Sequence, residues 1–216
     1  MELIACKNIK VNKCKLTTKG KKIADSLEEA LQIDLSTTAT APTVVPYGNK
    51  FLKGQTCEDI TITNSTITGG RGVCANKTDT EGSKYLGKYH KNITITGCTI
   101  TGITSEAVAL HNAVGLTVKN NKIISKGSRT NTVYTIGLNI ATFKSNSIST
   151  KYKNVITGNT IKGGRQGLYM ISYGGNKFGT TTIKNNKIYC KNGKANAMKV
   201  SDCKKLVSKG NKLYKW

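Results

Sequence analysis

The chain has 216 residues, 34 Lys+Arg against 11 Asp+Glu for a net charge of +23, and 37% apolar residues. That length suits one domain, since domains run at about 100–200 residues, and the apolar fraction suffices for a core. No apolar stretch nears the roughly 18–20 residues of a membrane span, and two prolines exclude a proline-rich or collagen-like chain.

A positive field attracts polyanions. Apart from Arg71, Arg129 and Arg165 the basic residues are lysines, and arginine makes most specific base-edge contacts. The lysines are spread along the chain, so the excess is expected to be solvated surface, without a nucleic-acid partner. Seven cysteines leave at least one unpaired, and no Cys-x-x-Cys pair suggests a zinc or thioredoxin-type site.

In chain order, Met1-Glu2-Leu3 fits the apolar-x-apolar pattern that recurs later. The chain is therefore expected to be the C-terminal part of a longer protein, or one half of a split one, with any signal peptide upstream. Ile9/Val11, Cys14 and Leu16 then open a template: apolar-x-apolar-x-x-[Asn/Cys/Ser]-x-apolar. It returns around Ser65, Cys98, Asn121, Asn159, Asn186 and Asn211, less apolar at its first two positions in later copies. The segment Ile23–Ala30 alone looks helical. A second unit, small-apolar-x-apolar-x, precedes most copies: Ala30-Leu-Gln-Ile-Asp34, Gly72-Val-Cys-Ala-Asn76, Ala107-Val-Ala-Leu-His111, Gly137-Leu-Asn-Ile-Ala141, Gly167-Leu-Tyr-Met-Ile171 and Ala197-Met-Lys-Val-Ser201.

Alternation of this kind buries one face of a strand. The spacings between copies, 51, 33, 23, 38, 27 and 25 residues, share a floor near one solenoid turn and vary by insertion. No Asn-Gly or Asp-Gly turn closes an alternating pair, which excludes hairpins. No recurring amphipathic segment supplies helical crossovers. Stacked coils let every strand pair in parallel with its copies above and below. The expected fold is all-β, a right-handed parallel β-helix of about seven coils forming one domain over 1–216. Inward asparagines at one corner would satisfy each other along the axis.

Units such as Ala107-Val-Ala-Leu-His-Asn-Ala-Val-Gly-Leu-Thr-Val-Lys-Asn-Asn-Lys-Ile resemble the short repeats of right-handed β-helix proteins of the pectate-lyase-like superfamily. The resemblance covers essentially the whole chain. It implies a secreted or cell-surface protein acting on a polysaccharide or oligosaccharide, as a hydrolase, as a lyase or epimerase, or as a tailspike- or adhesin-like binder. The aspartate-rich strands of calcium pectate lyases, the Asp-Asp pair of polygalacturonases and the Asp-Pro-His-Glu of alginate epimerases are missing.

In the second unit the two x positions face outward. One outward column reads Glu2, Gln32, Cys74, Ala109, Asn139, Tyr169 and Lys199; the other contains Asp34, Asn76 and His111. Glu29, Arg71 and Glu106 lie just before their strands. Acids gathered on one strip of a basic chain mark the candidate site. Two carboxyls flanking a glycosidic bond hydrolyse it with inversion when about 6.5–9.5 Å apart. Asp34 and Glu2, in adjacent coils, are the first choices for that pair, with Glu29, His111 and Arg71 as further catalytic candidates.

A lyase would instead use His111, His90, Arg71 or a lysine. Glu29, Asp34 and Glu106 would then serve as calcium ligands; a hydrolase needs no cofactor. Insertions 35–56, 77–90, 142–153 and 172–180 leave one edge of the stack. They carry Tyr47, Phe51, Tyr85, Tyr89, Phe143, Tyr152, Tyr173 and Phe178, a groove wall on which sugar rings can stack. Gln32, Asn76, Glu106, Asn139, Tyr169, Tyr47, Tyr85 and Tyr89 are the expected substrate-binding residues. Cys6 and Cys57 stack in adjacent coils, as a disulfide or as free thiols.

Overall fold

The computed structural model of the chain describes residues 1–19, 28–48, 52–75, 88–127, 133–143, 150–173, 175 and 177–216. The chain winds through seven coils, each adding one strand to each of three parallel sheets. The first sheet stacks Glu2–Ile4, Glu29–Asp34, Arg71–Ala75, Val108–His111, Leu138–Thr142, Leu168–Ser172 and Met198–Val200. The second stacks Lys7–Asn12, Glu58–Thr63, His90–Thr96, Thr117–Lys119, Asn154–Thr157, Phe178–Lys184 and Cys203–Lys209, with Ala113–Val114 as an extra short strand. Lys15–Thr17, Thr66–Gly69, Thr99–Gly102, Lys122–Ser125, Thr160–Gly163, Lys187–Cys190 and Lys212–Lys215 make the third. This is a right-handed parallel β-helix.

The inward columns are those the alternation predicts. Leu31, Val73, Val108, Leu138 and Leu168 follow one another in the first sheet. Ile62, Ile95, Val118, Ile156 and Ile183 do so in the second, and Ile67, Ile100, Ile123, Ile161 and Ile188 in the third. All fifteen are fully buried in one core. Each aliphatic side chain packs on its own repeat about 4.8 Å away. Where Asn154 and Thr181 break the apolar pattern they pair: Asn154 Nδ2 donates to Thr181 Oγ1 at 3.3 Å, and Asn154 Oδ1 accepts from the Leu116 N–H at 3.1 Å.

The corner between the second and third sheets is built by side-chain amides. Asn121 Nδ2 donates to Asn159 Oδ1 at 3.0 Å, Asn159 Nδ2 to Asn186 Oδ1 at 2.9 Å, and Asn186 Nδ2 to Asn211 Oδ1 at 2.9 Å. Each Oδ1 also accepts the backbone N–H of the residue one coil back. Ser65 fills the same slot in the second coil, its Oγ accepting the Cys14 N–H at 3.0 Å.

The residue before each of these must turn the chain with positive φ. Lys13, Asn64, Asn120 and Asn185 do so, as do Gly97, Gly158 and Gly210. At Gly158 the backbone is left-handed (φ +69°), and a Cβ would lie 2.2 Å from Asn120 Oδ1, whose side chain folds over it from the previous coil. Gly158→Ala should therefore cost about 1–2 kcal/mol through the left-handed backbone. Thermal melting would read this as a lowered midpoint, and an unchanged midpoint would show that the corner relaxes freely.

The insertions are shorter than their sequence boundaries. His90 and Phe178 already open second-sheet strands, and Thr142 and Ser172 still belong to the first sheet. The first insertion carries a 3-10 turn over Pro42–Tyr47. Of the helical-looking segment, Glu29 and Ala30 lie in a strand; residues 23–27 fall outside the described residues.

Candidate functional site on the first sheet

The outward columns of the first sheet are in the expected register. Glu2 pairs with Gln32, Gln32 with Cys74, Cys74 with Ala109, Ala109 with Asn139, Asn139 with Tyr169, and Tyr169 with Lys199. Their exposure differs from expectation. Asp34, Arg71, Cys74, Glu106, Asn139 and Tyr169 are all buried. Alternation decides which side of the sheet a residue takes; what lies over that side decides whether it meets water. Over Asp34, the following segment folds back on itself, with Ser36 N bonded to Gln55 O and Gly54 N to Ser36 O. Across the start of the third coil's strand, the Thr104 and Ser105 N–H groups bond to Gly70 O.

At the centre lies a buried ion network. Arg71 Nη1 donates to Glu29 Oε1 at 3.0 Å and Nε to Glu106 Oε2 at 3.1 Å, so one guanidinium ties three consecutive coils. Ser105 Oγ donates to Glu106 Oε2 at 2.6 Å, and Asn139 Nδ2 to Glu106 Oε1 at 3.2 Å. Burial alone would raise the Glu106 pKa, but the charges of Arg71 and His111 and the Ser105 hydrogen bond outweigh it and hold the carboxyl below its usual range. Burial likewise opposes the Arg71 charge, and the Cys74 sulfur, Glu106 and Glu29 overcome it. Arg71 is a fixed cation whose Nε and Nη1 donors are committed.

Buried and bonded through Nε and Nη1 to two carboxylates, Arg71 is poorly placed to serve a lyase by neutralising a substrate carboxylate. The proposed calcium ligands do not fit either, because the guanidinium already lies between the carboxylates of Glu29 and Glu106. Among the described residues no cluster of three or more His, Cys, Asp or Glu side chains could hold a metal ion.

The N-terminal end of the face holds Glu2 and Asp34. Asp34 accepts Gln32 Nε2 at 3.0 Å on Oδ2 and the Leu35 N–H at 2.8 Å on Oδ1. Glu2 is exposed and lines a cleft of about 500 Å³ with Ile4, Ser36, Thr40, Pro42 and Gln55. Its pKa is raised, first by partial burial and then by the Asp34 charge. Glu2 is thus the carboxyl biased toward its protonated form, and Asp34 contributes to the bias.

Toward the other end, rings gather. His111 meets the edge of Phe143 with centroids 5.5 Å apart, and Phe143 stacks on Tyr173 at 5.3 Å. The Tyr169 and Tyr173 hydroxyls lie 3.2 Å apart, and burial followed by that hydrogen bond pushes the Tyr169 phenol up to about 12. His111 Nε2 is 3.4 Å from Asn139 Nδ2. The other amide atom, Asn139 Oδ1, is buried and finds no hydrogen-bond partner among the described residues.

The remaining candidates scatter. Tyr47 is exposed in the first insertion, Tyr89 is buried, and Phe178 belongs to the core rather than to a groove wall. Asn76, Tyr85 and Phe51 lie outside the described residues. His90 is fully buried, its Nδ1 accepting the Cys57 N–H at 3.0 Å, which makes it a structural residue. All seven cysteines are free. Cys57 Sγ accepts the Cys6 N–H at 3.4 Å and donates to main-chain oxygens of Leu3 and Asp34, so the pair is a thiol ladder rather than a disulfide. Burial pushes the Cys74 thiol up to about 12 despite Arg71, 3.2 Å away, leaving no thiolate for catalysis.

Sequence reasoning missed Ser105, Ser36 and Gln55. Only the adjacency of Ser105 to Glu106 could have pointed to the first, while the other two reach the face through the fold of an irregular insertion. No family model matches the chain, and neither the curated proteins nor the solved structures contain a match to it.

Proposed function

We propose that this is a carbohydrate-active β-helix, secreted or held at a cell surface, that lays a glycan along the outer face of the first sheet and hydrolyses a glycosidic bond at its N-terminal end. The pectate-lyase-like superfamily, whose short repeats the chain resembles, is the architectural context of this reading. The observation that carries it is Glu2: a carboxyl on a cleft, its pKa raised by burial and by the Asp34 charge. A general acid needs that bias to be protonated when it meets the leaving oxygen. Asp34 is the partner carboxylate. The Phe143–Tyr173 stack beside His111 offers ring faces and edges to sugars.

One observation favours a second reading, recognition without turnover. Asp34 is only 1% exposed and each of its oxygens holds a hydrogen bond, an arrangement that suits a fixed structural carboxylate better than a base.

A panel of neutral and acidic polysaccharides, followed by mass spectrometry of products and by calorimetry, separates the two. Saturated fragments from the native protein, reduced about 10²–10⁴-fold in rate by Glu2→Gln with binding retained, support hydrolysis. Binding that yields no fragments, and that Tyr173→Ala weakens by up to about tenfold, supports recognition alone. Neither products nor binding would overturn both.

A further inference from the structure

The lysines that look evenly spread along the sequence are not evenly spread on the solenoid. Residues 107–216 carry 20 of the 34 basic residues and one acid, Asp202. Within that half, the corner between the second and third sheets repeats a short unit. It reads Lys119-Asn-Asn-Lys122, then Thr157-Gly-Asn-Thr160, then Lys184-Asn-Asn-Lys187, then Lys209-Gly-Asn-Lys212.

The register turns this repeat into two parallel rows. Lys119, Thr157, Lys184 and Lys209 are consecutive neighbours along the second sheet. Lys122, Thr160, Lys187 and Lys212 are consecutive along the third. The asparagine ladder between the rows holds the corner rigid. Coils rise by about 4.8 Å, so six ammonium groups straddle one straight edge of the molecule.

Like charges directly opposite in a sheet are destabilising, and Lys184 faces Lys209 while Lys187 faces Lys212. Among the described residues none of the six is in an ion pair. Such a ridge, without counter-charge of its own, is complementary to a polyanion lying along the axis.

We infer that this lysine ridge binds an acidic polysaccharide, a polymer with repeated carboxylate or sulfate groups, at a site separate from the first sheet. Ammonium groups read such a polymer as a row of charges. Single-stranded nucleic acid is disfavoured because it needs free aromatic faces, and sequence-specific duplex recognition because the four corner units carry no arginine for base edges. The rings near this corner are already occupied: Tyr189 stacks on Tyr214 with Lys162 over it, and Lys162 and Lys191 both cover Trp216. A membrane surface is disfavoured because none of the exposed large apolar side chains belongs to the four corner units.

The test measures affinity for polygalacturonate, dextran, a DNA duplex and anionic phospholipid vesicles in buffer near physiological salt. It compares the native chain with two variants of equal net charge. One carries K119Q, K122Q, K184Q, K187Q, K209Q and K212Q; the other carries K10Q, K13Q, K15Q, K19Q, K53Q and K91Q. Circular dichroism melts confirm that each is folded, and a third variant with arginine at the six ridge positions keeps the charge.

Polygalacturonate should bind the native and arginine proteins alike, weaken by about tenfold or more in the ridge variant, and change little in the control, with dextran inert throughout. Equal losses in both glutamine variants would reduce the effect to net charge and overturn the ridge. Tighter binding of DNA or of vesicles than of polygalacturonate would overturn the assignment of the partner. The ridge lies apart from Glu2 and Asp34, so its failure leaves the hydrolase reading standing, and the reverse.

Discussion

Arg71→Met should lower the stability of the protein by about 3–5 kcal/mol, the cost of removing one partner from a buried charge network. The methionine fills most of the volume, but Glu29 and Glu106 lose the cation that lies between them. The pH dependence makes the test specific. In the native protein the Glu106 pKa is held below its reference value of 4.5. Its contribution is therefore present above that value and is lost as pH falls through the folded pKa. Without Arg71, burial dominates and the folded pKa rises above 4.5, so the sign reverses: the variant should gain stability on acidification from pH 7 toward pH 5. Urea unfolding at the two pH values reads both effects. A loss below about 1 kcal/mol, or an unreversed slope, would show that water reaches the network. Combining Arg71→Met with Glu106→Gln should recover part of the loss.

Asn159→Ala should cost about 4 kcal/mol or more, because it orphans several buried groups at about 1–3 kcal/mol each. Asn159 Oδ1 accepts both the Asn121 N–H and Asn121 Nδ2, and its Nδ2 serves Val118 O and Asn186 Oδ1. Asn159→Ser should cost less, because Ser65 already shows a hydroxyl accepting the corner N–H in the second coil. Chemical denaturation of the two variants gives the comparison. Equal losses would mean that the side-chain rungs contribute little beyond the single backbone bond.

The architecture was legible because each inward column repeats one chemistry. Ile67, Ile100, Ile123, Ile161 and Ile188 announce their stacking by spacing alone, and the pairing of Glu2 with Gln32 and of Asn139 with Tyr169 follows from the same frame. The site was less legible for reasons that lie above the strand. The burial of Asp34 depends on how an irregular insertion returns across it, and no periodicity encodes that path. Arg71 looked like a free cation because its carboxylates come from 42 residues earlier and 35 later. Phe178 reads as a loop aromatic because the strand it opens runs Phe-Gly-Thr-Thr-Thr before its next apolar residue, Ile183. Spacing could show that lysines recur beside the asparagines; only the wound chain shows that they line up.

The two ends of each second-sheet strand obey different rules. Its exit corner is locked by amide rungs and keeps one length, whereas its entry corner accepts connections from the two residues between Ile4 and Lys7 to the long segment between Asp34 and Glu58. A rod built this way can evolve in two independent dimensions. Duplicating a whole coil lengthens every face by about 4.8 Å without disturbing register. Rewriting an entry loop changes what stands over the first sheet without touching the lysine edge on the far side. Selection on one surface is thereby uncoupled from selection on the other.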